Sequence, residues 1–127
     1  MHEMSLVHDI LDYVLETCEG KGVTEVNVVR LTIGDVHDVV DSLVPGLFRF
    51  LARGTIAADA EVVITRVPMR MRCRSCEELF EVDLHALNAR EAASISCPKC
   101  GAVRNYHMVS GTEFRIDSIE VTQRIGA

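Results

Sequence analysis

The 127-residue chain has no tryptophan, only four phenylalanines and two tyrosines, and three prolines. Basic charge is short as well: 13 Lys and Arg face 19 Asp and Glu, a formal net charge of -6. That balance argues against general binding to phosphate backbones, which takes clustered cations. No apolar run approaches the ~20 residues of a membrane-spanning helix. No basic stretch followed by an apolar one opens the chain, so no signal peptide is expected. There are no internal repeats and no low-complexity tracts. These absences lead to the expectation of a cytoplasmic protein with no membrane or nucleic-acid partner.

What is present can fold. Apolar residues make up 48% of the chain, which weighs against intrinsic disorder. A domain of this size buries roughly two thirds of the surface its unfolded chain exposes. Leu6, Val7, Ile10, Leu11, Val14, Leu15 and Cys18 recur at helical spacing and predict a helix over 4–19, with Ser5 as its N-cap. Residues 23–33 alternate as a strand, with a face switch at Val28–Val29 that signals a bulge or burial on both sides. A second helix is predicted over 42–53, with Leu43, Leu47, Phe50 and Leu51 inward and Pro45 in its first turn. Strand patterns follow over 60–67 and, at the end, over 112–122. The composition changes at Pro68. The predicted architecture is α+β: two helices packed on a three-stranded sheet, with a small domain inserted before the last strand. The predicted boundaries are 1–67 plus 112–127 for the first domain and 68–111 for the second.

The inserted segment has few large apolar residues and requires a staple. Four of the five cysteines supply one, as Cys73-x2-Cys76 and Cys97-x2-Cys100 separated by 20 residues. Two-residue spacers let one tight turn aim two sulfurs at a point, and four thiolates suit a closed, structural zinc site. In Cys97-Pro98-Lys99-Cys100-Gly101, proline presets the turn and glycine accepts the positive φ that ends it. Three other uses of such pairs remain open. A rubredoxin-like iron site shares the knuckles, but it takes an aromatic shell, and this segment offers only Phe80 and Tyr106. A redox dithiol needs one pair at a helix N-terminus. Two disulfides run against a reducing compartment.

The chain begins Met1-His2-Glu3. The α-amine, the His2 amide and the His2 imidazole are three nitrogens close together, and Glu3 can add an oxygen. Square-planar N,O sets suit Ni(II) or Cu(II). The plain alternative is a frayed, solvated start.

Taken together, these features resemble the HypA/HybF family of hydrogenase maturation proteins, which are nickel metallochaperones. The resemblance runs nearly end to end. Met1-His2-Glu3-Met4-Ser5-Leu6 is similar to the family's opening, Leu31-Thr32-Ile33-Gly34-Asp35 to its first strand and turn, and the cysteine pairs to its zinc motif. Gly54-Thr55 with Ala60-Glu61-Val62, and Ser110-Gly111 with Ser118-Ile119-Glu120-Val121, add to it. The resemblance implies a nickel-binding domain and a zinc-ribbon domain. It implies a carrier, not an enzyme, acting with a nickel-handling GTPase to load the large subunit of [NiFe]-hydrogenase. It implies nickel ligation by His2, with Met1 and Glu3, and zinc ligation by Cys73, Cys76, Cys97 and Cys100. One departure stands out. The family commonly carries a carboxylate six residues after the glycine matched by Gly34, and here that position is Val40, flanked by Asp38 and Asp41.

Other residues have two readings each. His85 is a loop histidine or a further ligand. His37 tips a turn or joins Asp35 and Asp38 at a metal. Cys18 lies on the apolar stripe and reads as core. Arg66, Arg70, Arg72 and Arg74 form a solvated strand face or a docking surface for an acidic partner.

Overall fold

A computed structural model describes residues 3–125. In chain order it contains α1 (Glu3–Cys18), β1 (Val23–Gly34), a 3-10 turn (Asp41–Leu43), α2 (Val44–Ala52), β2 (Glu61–Val67), β3 (Met69–Cys73) and β4 (Leu79–Val82). A second 3-10 turn (Leu84–Ala86), α3 (Ala89–Ala92), β5 (Tyr106–Ser110) and β6 (Phe114–Gln123) complete it. The strands form two three-stranded sheets, ordered β2-β1-β6 and β4-β3-β5. The chain divides into two compact units. The first takes the chain up to Thr32, then Asp38–Thr65, then the chain from Arg115; the second takes Ile33–His37 and Arg66–Phe114. The α+β architecture with an inserted ribbon is therefore observed.

In the first unit α1 buries Leu6, Val7, Ile10, Leu11, Val14 and Cys18, the i, i+3, i+4 stripe of an amphipathic helix. Each fully buried aliphatic side chain contributes about 1.5–3 kcal/mol. The helix already includes Glu3, so Ser5 lies inside the first turn and is not the cap. An acidic residue there suits the positive end of the helix dipole. The inward face of α2 differs from the predicted one: Val44, Phe48 and Ala52 are buried, while Leu43 and Phe50 are exposed. Of the nine residues in this helix only Arg49 is charged, so apolar periodicity has no contrast from which to fix the phase. The exposed Phe50 ring is covered by the Arg53 guanidinium, 4.1 Å from its centroid.

On β1 the side chains of Val26, Val29, Leu31, Thr32 and Ile33 are all buried. Three consecutive buried residues mean that the end of the strand is covered on both faces. The Val26 N–H donates to the Ile56 carbonyl at 2.8 Å, where the buried face switches. Polar side chains link β1 to β6: Thr32 donates to Asp117, Arg30 pairs with Glu120, and Thr122 donates to Asn27. The Thr32 hydroxyl, opposed by burial and aided by Arg115, holds the Asp117 carboxyl below its ordinary value of 3.8.

The second unit centres on β3, antiparallel to both β4 and β5. Met69, Met71 and Cys73 point inward. Outside, Arg70 sits opposite Glu81 and pairs with it at 3.0 Å. Three backbone segments cross tightly in this unit: Gly34 N–H to Glu113 O at 2.6 Å, Val36 N–H to Gly111 O at 2.9 Å, and Asp35 N–H to Val67 O at 2.9 Å. A Cβ on Gly34 would lie 2.1 Å from the Gly111 carbonyl oxygen and 2.7 Å from the Glu113 nitrogen. Gly111 itself has φ +114, and a Cβ there would meet Met69 Cα at 2.8 Å. Both positions require glycine because backbone, which cannot yield, fills the space.

Gly34→Ala is expected to cost about 3 kcal/mol, read as a lowered urea midpoint of the ribbon's transition; an unchanged midpoint would show that the crossing relaxes. Asp117→Asn tests the link between β1 and β6. A depressed carboxylate adds stability above its unfolded pKa and loses it as pH falls through the lower folded value. The carboxyl is exposed, so solvent screening keeps the effect small. The gap between variant and parent should narrow below about pH 4; a gap independent of pH would contradict the assignment.

Candidate metal centre

The centre lies in the second unit and is built from two turns with the same backbone plan. In the first, Cys73 N–H donates to Glu78 O and Glu77 N–H to Cys73 O, both at 2.9 Å. In the second, Cys97 N–H donates to Ala102 O and Gly101 N–H to Cys97 O, again at 2.9 Å. The residue after each second cysteine is left-handed: Gly101 has φ 78, as predicted, and Glu77 has φ 64. A non-glycine residue there costs about 1–2 kcal/mol, so Glu77 is held by the site around it. The sequence signal for this was available, because Glu77 occupies the place that Gly101 fills in the other knuckle. Asn105, missed in the sequence, ties the first knuckle down: its side chain donates to Ser75 Oγ at 2.6 Å and its carbonyl accepts from Arg74 N–H at 2.9 Å.

These turns bring the four sulfurs within 4.8 Å of one another. Cys73 and Cys100 are 3.6 Å apart, as are Cys76 and Cys97. Metal–sulfur bonds of roughly 2.3 Å in a tetrahedron place sulfurs about 3.8 Å apart, so the quartet fits one tetrahedral ion. A disulfide would need about 2.05 Å, and all five cysteines are free. Neither knuckle runs into a helix N-terminus, the setting of a redox dithiol; the first leads to β4 and the second to the Ser96–Val103 bridge and then β5. Cys73 and Cys97 are buried, Cys76 half-buried and Cys100 exposed.

The electrostatics agree. The Cys76 N–H, aided by Ser75 N–H and the Cys100 sulfur and opposed by burial, lowers the Cys73 thiol to about 7. The Cys100 and Lys99 N–H groups likewise lower Cys97 against burial, and Lys99 N lies 3.4 Å from its sulfur. Cys76 receives a lowering N–H from Glu78, yet burial and the three other sulfurs push it up to about 12. Like charges this close cannot all ionise unaided. A divalent cation reverses that and deprotonates the thiols outright.

Among the described residues, this quartet is the only group of three or more His, Cys, Asp or Glu placed to share an ion. His2 and Met1 lie outside the described residues. Glu3 is described: its Oε1 accepts the Val40 N–H at 3.0 Å. His85 is exposed in its loop. His37 does tip a turn, with Nε2 3.0 Å from Thr112 O and its ring edge-on to Phe114. Asp35 pairs with Arg66 at 3.2 Å, and the same arginine donates to the His37 carbonyl at 2.8 Å. With Arg70 on Glu81 and Arg72 on the Glu77 carbonyl, three of the four arginines in the stripe bind within their own unit. Cys18 is buried on α1, as the core reading requires.

Cys76→Ser should weaken metal binding by more than the roughly 10–100-fold that losing an outer partner costs. Chelation should melt β3, β4 and β5, whose unit has little apolar core besides Ile33, Met69, Met71 and Ile95. Amide dispersion in NMR spectra reads both, and a metal-free ribbon with native shifts would refute the role.

Residues 1–121 match the protein family described as hydrogenase/urease nickel incorporation, metallochaperone, HypA. A hydrogenase maturation factor HypA from Dehalococcoides mccartyi is 33% identical, covering 95% of this chain and 94% of that one. One from Lawsonia intracellularis is 31% identical, covering 95% and 99%. The solution structure of the Ni metallochaperone HypA from Helicobacter pylori shares the fold with a TM-score of 0.60 at 23% identity, over 98% of this chain and 100% of that one. With the cysteine quartet converged and the match spanning both compact units, the chain belongs to the HypA family.

Proposed function

We propose that the chain is a nickel metallochaperone of hydrogenase maturation, which binds Ni²⁺ at its N-terminus and hands it on, with zinc held structurally by Cys73, Cys76, Cys97 and Cys100. The observation that carries this reading is the family match over residues 1–121, which takes in the opening Met1-His2-Glu3 as well as the quartet. The two metals need different sites. Four protein thiolates close a zinc site and leave no position for exchange, so cargo must be taken elsewhere. The first residues offer an amine, an amide, an imidazole and the Glu3 carboxylate, a set suited to Ni(II). His2 is the principal ligand, Met1 contributes its amine, and Glu3 assists from the start of α1. The first unit is then the nickel domain and the second the zinc domain.

No bond in a substrate is broken; the chemistry is ligand exchange, and the protein is a carrier with no catalytic residues. Its partners are a nickel-handling GTPase and the hydrogenase large subunit, in the cytoplasm. The family description also names urease, but the relatives above are hydrogenase maturation factors, which favours hydrogenase as recipient. No helix among the described residues is long and apolar enough to cross a membrane.

The test is a nickel titration with zinc measured in parallel. His2→Ala should abolish tight nickel binding and leave about one zinc per chain and an unchanged melting temperature. A peptide extension before Met1 should weaken nickel binding by removing the free amine. Nickel affinity should also fall as pH drops through about 8 to 6.5, where an amine and an imidazole take up protons. Unchanged nickel binding in His2→Ala would overturn the site.

A further inference from the structure

The second unit carries a groove that the metal centre does not use. Its volume is about 460 Å³, and its floor and walls come from β4, the Leu84–Ala86 turn, α3 and the approach to the second knuckle. Phe80, Val82, Leu87, Ile95 and Pro98 supply the apolar lining. Three carboxylates line it too, from Glu81, Asp83 and Glu91, and the lining contains no Lys, Arg or His. Arg70 reaches Glu81 from the neighbouring strand. The other two acids serve the backbone. Asp83 accepts the His85 N–H at 3.0 Å, and Glu91 accepts the Asn88 N–H at 3.2 Å in a capping box that starts α3. Neither has an ion-pair partner among the described residues. Backbone bonds fix where these carboxylates stand but leave their charge unneutralised. The result is a preformed apolar trough with fixed negative charge along it.

We propose that this groove docks a peptide segment of a partner protein, one that places one or two large apolar side chains on Phe80, Leu87 and Ile95 and flanks them with Lys or Arg facing Asp83 and Glu91. The volume falls in the range of clefts that enclose a drug-sized ligand, which is room for one or two large side chains. The apolar strip supplies contact, and the charge selects a basic segment and repels an acidic one. Because this chain is itself acidic, a second copy is a poor general match to the groove.

The experiment uses the full zinc-loaded chain and a fluorescein-labelled, end-blocked peptide, Lys-Arg-Leu-Phe-Lys-Arg, read by fluorescence anisotropy and by amide shifts. The control peptide has Glu at each basic position. The basic peptide should bind and shift Phe80, Leu87 and Ile95 amides, and its Kd should rise about tenfold between roughly 0.05 M and 0.3 M salt. The control should not bind. The double variant Asp83→Asn, Glu91→Gln keeps both backbone acceptors and removes both charges; it should bind about fivefold more weakly or worse and lose most of the salt dependence. Should that variant fold poorly, the salt series on the parent chain decides by itself. No binding at millimolar peptide, equal binding of the control, or shifts centred elsewhere would each overturn the proposal. So would sedimentation showing that the groove instead joins two copies of the chain, with dimers lost in the double variant.

Discussion

Four cysteine sulfurs within 4.8 Å of one another form a cluster that resists its own ionisation, and the ribbon's geometry follows from how that resistance is overcome. Backbone N–H groups aimed at Cys73 and Cys97 favour thiolate at those two sites, while Cys76 is pushed up to about 12 by burial and its neighbours. The protein scaffold thus prepares part of the charge, and a divalent ion supplies the rest. Without an ion the quartet is a cost, and the few buried apolar residues around it could not meet that cost alone. The left-handed Glu77 belongs to the same logic. Its unfavourable φ persists because the knuckle bonds and the paired sulfurs fix the turn on both sides.

The N-terminal end obeys a different constraint. The start of α1 is tied to the segment before α2 by the bond from Val40 N–H to the Glu3 carboxylate. This bears on the family departure at Val40. The valine side chain offers no oxygen, but its backbone engages the carboxylate of Glu3. Any coordination by Glu3 therefore shares that carboxylate with a hydrogen bond, which restricts its orientation before a metal arrives. A carboxylate oriented in advance suits the proposed carrier role, because preorganisation helps capture.

Much of this was legible in the sequence, and for identifiable reasons. The stripe on α1, including Cys18, was readable because polar residues separate its apolar ones. The quartet was readable because two-residue spacers have few other uses. Gly101 was readable because a knuckle must end in a left-handed residue. Where contrast failed, so did the reading. In α2 nearly every side chain is apolar, so Leu43 and Phe50 were placed inward although Val44 and Phe48 fill the core. Ser5 looked like a cap because serine favours that role, but the helix had already begun at Glu3. The arginine stripe looked like an open basic face because Asp35, Glu81 and the Glu77 carbonyl, its partners, come from other turns and strands.

Gly34 shows the limit most clearly. In the sequence it marks the start of an acidic turn, and its matching position in the resemblance gives no reason for the residue. In the fold it lies against Gly111 and Glu113, where a single methyl group would strike backbone. Those contacts are about 80 residues away along the chain, so no local pattern encodes them. The same is true of the acidic groove. Asp83 and Glu91 read locally as a turn residue and a capping residue, and each does perform that service. Their second property, negative charge fixed along one apolar trough, exists only once β4, α3 and the second knuckle are assembled. Local patterns disclose what a residue does for its own backbone, whereas surfaces that recognise other molecules are built from residues whose local tasks are already explained.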